Sequence, residues 1–265
     1  MTVNVYSLNI GLTNRCNLRC MFCPVINTQI KREDMPMPMV RRIITEAHIE
    51  HHVSLALFGE STLYTELPEV IRIVKQKGVE SILYTNGLVF NPGIADVDKV
   101  IFSLDAFDRN EYIKHKGIDG YDRVIANIKR LRLATKRPHI TIQFADLKYN
   151  MPKIEEIKKL ADYVKIGRFV TWGGEIEYHG TVGHKIREKK PCSHIFKFLN
   201  IASNGDVVLC CFDYNHSFDI GNVSQENVMD IWNGEKFNKI RSDQISGKFA
   251  DICLNCENES YYSPH

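Results

Sequence analysis

The sequence predicts an α/β protein built on a parallel sheet with right-handed crossovers. Apolar runs rich in β-branched residues alternate with stretches of helical periodicity between residues 5 and 170. With 265 residues, 44% of them hydrophobic, the chain can bury a sizeable core. Past about Pro191 the texture changes to turn signals and widely placed cysteines, which predicts a main unit over residues 1–190 and a small appended domain over 191–265.

Taken in order, residues 5–12, 53–58, 81–85, 100–104, 139–144 and 163–170 read as strands. Between them, 39–51, 67–77, 121–134 and 152–161 read as helices, and Pro38, Pro68 and Pro152 suit helix starts. In the C-terminal part, Asn204-Gly205 between two short apolar runs is a two-residue hairpin signal that delivers Cys210 to a strand end. Active sites of parallel α/β sheets lie beyond the carboxyl ends of the strands. The polar motifs of this chain fall there.

Composition narrows the setting. The longest apolar run, near residues 55–58, is far too short to span a membrane, and no basic stretch leads into a signal-like segment. A cytoplasmic protein without a membrane partner is expected. The net charge of +2 is too small to imply a nucleic-acid surface, and its lysines and arginines are scattered among acids. In a chain of this size and setting, eight cysteines read as metal ligands rather than disulfides.

Cys16, Cys20 and Cys23 follow the first strand with three and two residues between them. Three thiolates can hold three corners of a cubic iron–sulfur cluster, and since four is the usual complement, one iron stays open for substrate chemistry. Zinc is the plain alternative, but a zinc site wants a fourth cysteine or histidine nearby, and the nearest histidine is His48. With Phe22 before the third cysteine, the motif resembles the signature of the radical S-adenosylmethionine (SAM) superfamily. The resemblance implies that the open iron chelates SAM, and that an electron from the cluster splits the sulfonium to give a 5'-deoxyadenosyl radical that abstracts hydrogen. It also implies a partial (β/α)6 barrel, which the alternation of elements matches.

Further motifs are read under that resemblance. Phe58-Gly59-Glu60-Ser61, after the second strand, resembles the superfamily's Gly-Gly-Glu element with Phe58 in place of the first glycine; Gly59, Glu60 and Ser61 are then SAM-binding, Glu60 toward the amino group. Asn86 ends the third strand, and Ser103 and Asp105 end the fourth. Strand alternation points the last two to one side, toward a ribose hydroxyl or the methionine carboxylate. Lys116 sits where relatives place an arginine that meets that carboxylate, and Gln143 can face the lumen and bond adenosine or simply fill the barrel. Trp172-Gly173-Gly174 can pack on adenine or substrate, or serve the core. Arg168 is a candidate substrate-facing base or anion clamp.

Cys192, Cys210, Cys253 and Cys256 make a complete four-thiolate set and leave Cys211 over. The run 204–213 with Ile220-Gly221-Asn222-Val223, Asp230-Ile231-Trp232 and the closing cysteine pair resembles the SPASM/twitch extension of radical SAM enzymes. It implies one auxiliary 4Fe–4S cluster; a structural zinc with the same ligands is the rival. Cys211 reads as a buried small hydrophobe, or as a hydrogen donor or alternative ligand. Phe212 and Asp213 follow the ligands, Asp213 as a proton acceptor or a turn cap.

The chain is therefore expected to be an oxygen-sensitive radical SAM oxidoreductase with two clusters, dehydrogenating a small-molecule alcohol. Its expected electron donor is of the flavodoxin or ferredoxin type. The sequence shows neither a leader-peptide-recognition domain nor a cobalamin domain, which disfavours peptide maturation and methylation. Modification of a short peptide substrate and a non-enzymatic metal-binding module stay as alternatives.

Overall fold

Six parallel strands run through the first 170 residues: β1 (Val5–Ile10), β2 (Ile49–Leu55), β3 (Glu80–Thr85), β4 (Lys99–Ser103), β5 (His139–Asp146) and β6 (Tyr163–Arg168). The structure, a computed structural model, describes residues 3–146, 153–172, 176 and 188–257. Two strands of the C-terminal region complete the sheet. β7 (Phe198–Ile201) lies parallel on the free edge of β1, and β8 (Val207–Val208) pairs antiparallel with β7. The order is β6-β5-β4-β3-β2-β1-β7-β8, the open sheet of a partial (β/α)6 barrel with its extension attached at one edge.

Helices α1 (Met37–Glu46), α2 (Leu67–Lys77), α3 (Arg109–Lys116), α4 (Tyr121–Arg132) and α5 (Ile154–Lys158) connect the barrel strands. α6 (His194–Lys197), α7 (Val228–Asn233), α8 (Glu235–Ile245) and α9 (Asp251–Leu254) belong to the extension. Strand alternation divides the sheet. Leu8, Ile10, Val53, Leu55, Leu83, Val100, Phe102, Ile140, Ile142 and Phe144 join the helices' apolar stripes in one core. In α4 that stripe is Val124, Ile128 and Leu131, all fully buried, each contributing about 1.5–3 kcal/mol. The opposite, inward face carries polar groups; there Asn9 Nδ2 donates to Asn200 Oδ1 across the β1–β7 seam at 2.8 Å.

The structure corrects several expected boundaries. The helix read over 39–51 ends at Glu46, and the next strand begins at Ile49, because pairing with β1 overrides the apolar periodicity of the segment. The helix read over 152–161 is shorter, Ile154–Lys158, and Pro152 lies outside the described residues. α3 was not anticipated, although Asp108 caps it by accepting from the Glu111 amide at 3.0 Å, a capping-box pattern visible in the sequence. The Asn204-Gly205 hairpin forms with a wider turn. Gly205 takes φ 87 while Asn204 does not go positive, and five residues separate β7 from β8. Among the described residues, no helix is long and apolar enough to cross a membrane.

Candidate metal centres and cofactor site

Cys16, Cys20 and Cys23 lie in the long connection from β1 to α1, at the carboxyl end of the sheet. That loop is tied by its own polar groups. Arg32 donates to the carbonyls of Asn14 and Val25, both at 2.6 Å, and Arg15 pairs with Asp34 at 2.6 Å. Gly59, after β2, presses against it: at φ 151, an added Cβ would stand 2.3 Å from Thr13 O. The Glu60 amide donates to Arg15 O at 2.9 Å, so the loops after β1 and β2 form one unit. The three cysteines line a cavity of about 360 Å³ with Leu18, Val25, Arg32 and Gly59. Burial pushes the Cys20 thiol up to about 11 and raises Cys16 and Cys23 as well. Such thiols ionise readily only against a metal. The Leu18 amide donates to Cys16 Sγ at 3.4 Å, a bond that supports a sulfur ligand.

Next to this loop stands Glu60, 3% exposed. Its Oε1 accepts from the Thr62 amide, the Thr62 hydroxyl and the Thr85 hydroxyl at 3.1, 2.6 and 2.7 Å, and its Oε2 accepts from the Asn86 amide at 2.7 Å. Glu60, expected from the sequence to meet the SAM amino group, here clasps the loop after β2 to the end of β3. Ser61 donates its hydroxyl to Leu55 O at 2.8 Å, and Asn86 donates to Asn17 Oδ1 at 2.8 Å, carrying the clasp to the cysteine loop.

Asp105 departs from the strand alternation expected of it, because β4 ends at Ser103 and Asp105 takes φ 51. Its carboxylate accepts from Lys116 Nζ at 2.5 Å and from the Ala145 amide at 2.7 Å. Lys116, buried at the end of α3, therefore meets Asp105 and stands 5.2 Å from the Phe22 ring centroid. Burial disfavours its charge, but Asp105 and Cys20 outweigh that and raise its pKa. The His115 Nδ1–H donates to Asp105 O at 2.6 Å, and the Met21 amide donates to His115 O at 3.2 Å, fastening α3 to the cysteine loop. On the inward face, Ser103 pairs in register with Gln143. Gln143 Oε1 and Thr141 Oγ1 are buried without hydrogen-bond partners, the kind of vacancy a polar ligand fills. Arg168 closes β6, with its side chain outside the described residues, as are Gly173 and Gly174.

The second thiol set gathers in the extension. Cys192, Cys210, Cys211, Cys253 and Cys256 line one cavity with Phe212 and Gln244. Burial raises Cys210, pushes Cys253 up to about 11 and pushes Cys211 up to about 12, with neighbouring thiols adding to each. Gln244, on α8, holds the site together: its Nε2 donates to Cys253 Sγ at 3.3 Å and its Oε1 accepts from the Cys192 amide at 2.9 Å. No sequence signal marked Gln244, Thr62 or Asn17, whose roles arise from contacts across the fold. Asp213 is 1% exposed and accepts from the amides of Ser217 and Leu209 at 2.7 and 3.2 Å. It caps the turn, the second of the two readings its sequence position allows. Trp172 packs on Phe212 and Tyr214 with centroids 5.2 and 6.3 Å away. Phe58 joins Val25, Ala202, Val208 and Tyr214 in a small apolar cluster that touches Cys23, so the two thiol sites share an aromatic wall.

Among the described residues, the one group of three ligand atoms within 4.8 Å of one another contains no cysteine.

A parallel sheet with a three-cysteine loop at the strand ends and a five-cysteine pocket in the extension has the donor groups of an enzyme that works through iron–sulfur clusters. The chain belongs to the radical SAM superfamily, whose model matches residues 10–160, while SPASM, an iron–sulfur cluster-binding domain, matches residues 192–257. Its cofactors are thus a SAM-binding 4Fe–4S cluster, SAM itself and auxiliary iron–sulfur. A probable GTP 3',8-cyclase of Metallosphaera sedula is 30% identical over 164 residues, 59% of this chain and 50% of that relative. One of Saccharolobus solfataricus is 34% identical over 133 residues, 46% and 42% of the two chains. The chain spans about half the length of the curated relatives it matches. Among solved structures, BtrN in complex with AdoMet and 2-DOIA superposes with a TM-score of 0.67 at 18% identity, covering 98% of this chain and 96% of that one. Streptococcus suis SuiB bound to precursor peptide SuiA gives 0.75 at 16%, covering 90% and 67%.

Proposed function

We propose that this radical SAM enzyme is an oxidoreductase that removes two hydrogens from a small-molecule alcohol. When bound, the SAM-ligated cluster supplies a 5'-deoxyadenosyl radical, the abstractor of substrate hydrogen. In this reading residues 1–190 carry the SAM chemistry and 191–265 the auxiliary cluster. Cys16, Cys20 and Cys23 hold the first cluster; Gly59 and Glu60 shape the loop beside it; Ser103 and Gln143 offer polar atoms to SAM. Lys116 and Asp105 form the wall behind the cysteines, and Phe22 shields it. Arg168 and Cys211 are the candidate groups for handling substrate, and a flavodoxin- or ferredoxin-type protein in the cytoplasm donates the electron.

One observation carries the choice of reaction: five cysteines converge on the auxiliary pocket, Cys192, Cys210, Cys253 and Cys256 enough for a full ligand set with Cys211 to spare. A cluster ligated at every iron by protein accepts an electron rather than binding substrate. The extent of the superposition on BtrN supports it. The test is to assay candidate alcohols with the reconstituted enzyme: each 5'-deoxyadenosine formed should accompany a product lighter by two hydrogens. The resemblance to SuiB bound to a precursor peptide favours a second reading, radical modification of a short peptide. A product of unchanged mass in ordinary water that gains one mass unit in heavy water, as deuterium at carbon, would select epimerisation and make Cys211 the hydrogen donor.

A further inference from the structure

At the end of the sheet opposite the cysteines, three ligand atoms converge. Nδ1 of His51 and Nδ1 of His52 lie 2.9 Å apart, and one nitrogen of each ring and a Glu80 carboxylate oxygen all lie within 4.8 Å of one another. Successive residues of a regular strand point to opposite faces, so adjacent imidazoles meet only where the strand is irregular. β2 is irregular at this point. Its pairing with β1 slips between Val5 and Ser7, whose partners are Ile49 and His52, so three steps of β2 run against two of β1. An irregularity of this kind re-aims a side chain. Directly across, Glu80 is the β3 partner of His52.

We propose that His51, His52 and Glu80 form a site for one divalent transition-metal ion of zinc's class, with water completing the coordination. Two nitrogens bound to one ion at about 2.0–2.1 Å stand about 2.9 Å apart at a right angle and about 3.4 Å apart at the tetrahedral angle. The observed separation meets the first, and a small ring rotation meets the second. Two imidazoles and a carboxylate make a borderline donor set, suited to zinc, cobalt or nickel rather than calcium or magnesium. A neutral imidazole offers one lone pair to a metal, here at His52 Nδ1. The Ser7 hydroxyl lies 3.0 Å from the same nitrogen and completes a polar cradle. Lys99 opposes a cation there and makes the site weaker than a four-ligand structural zinc. Placed at the amino ends of β2 and β3, the ion would staple two strands. Its role is independent of the chemistry at the cysteines.

Holoenzyme reconstituted anaerobically, with its iron counted first, provides the test. It is dialysed against excess zinc chloride, then zinc and iron are measured by mass spectrometry and thermal unfolding is recorded. One additional zinc per chain is expected, with unchanged iron and an unfolding temperature higher by a few degrees. His51→Ala and Glu80→Gln, both at exposed positions, should abolish the added zinc and the shift while retaining iron content and SAM cleavage. Absence of saturable uptake, uptake that persists in both variants, or uptake matched by iron loss would each overturn the proposal.

Discussion

At the scale of single residues, buried charge is committed before any ligand arrives. Glu60 receives four hydrogen bonds from its own chain and aligns the loops after β2 and β3 beside the cysteines. Glu60→Ala leaves those donors unpaired at about 1–3 kcal/mol for each group that stays buried. Iron content should hold while 5'-deoxyadenosine formation falls at least tenfold, measured by chromatography under single-turnover reduction. The Asp105–Lys116 pair obeys similar arithmetic, since removing one partner of a buried ion pair costs about 3–5 kcal/mol. Lys116→Met should lower the urea midpoint markedly, and Asp105→Leu/Lys116→Met should recover part of the loss. The sequence singled out Glu60, Asp105 and Lys116 for contact with SAM. Their partners were not legible, because φ 51 at Asp105 and the arrival of Thr85 beside Glu60 are properties of the assembled sheet.

At the scale of elements, α8 matters through one side chain. Gln244 reaches both Cys253 and the Cys192 amide. Gln244→Leu should leave the helix intact and release or perturb the auxiliary cluster, with iron falling from about eight toward about four per chain. The start of β2 carries a pH response. Unfolded, His52 takes up its proton near 6.5, but in the fold only near 4, so acid favours the unfolded chain. The stabilising contribution is present above about 6.5 and is lost as pH falls toward 4. Urea midpoints measured in chelator across that window should drop less steeply in His52→Asn than in wild type. The cysteine sets were legible because ligand spacing is written locally in the chain, whereas the β2 boundary was not, because its first residues pair with β1 against their helical periodicity.

At the scale of the whole molecule, the two thiol sites hang on one sheet, since β7 of the extension lies on the edge of β1, from which the cysteine loop departs. Replacing Cys16, Cys20 and Cys23 together by Ala should remove about half the iron and all SAM cleavage, leaving about four irons and a folded chain by circular dichroism. The alternation of strands and helices revealed the barrel, but nothing local marked residues 198–201 as the neighbour of the first strand; that pairing spans nearly two hundred positions. The seam also sets a schedule for biosynthesis. A ribosome adding about 5–20 residues per second needs on the order of 10–40 s to pass from β1 to β7. Throughout that interval the nascent β1 keeps one edge open beside the three-cysteine loop, the auxiliary set waits longer still for Cys253 and Cys256, and a product released before residue 198 presents an adhesive strand to its neighbours.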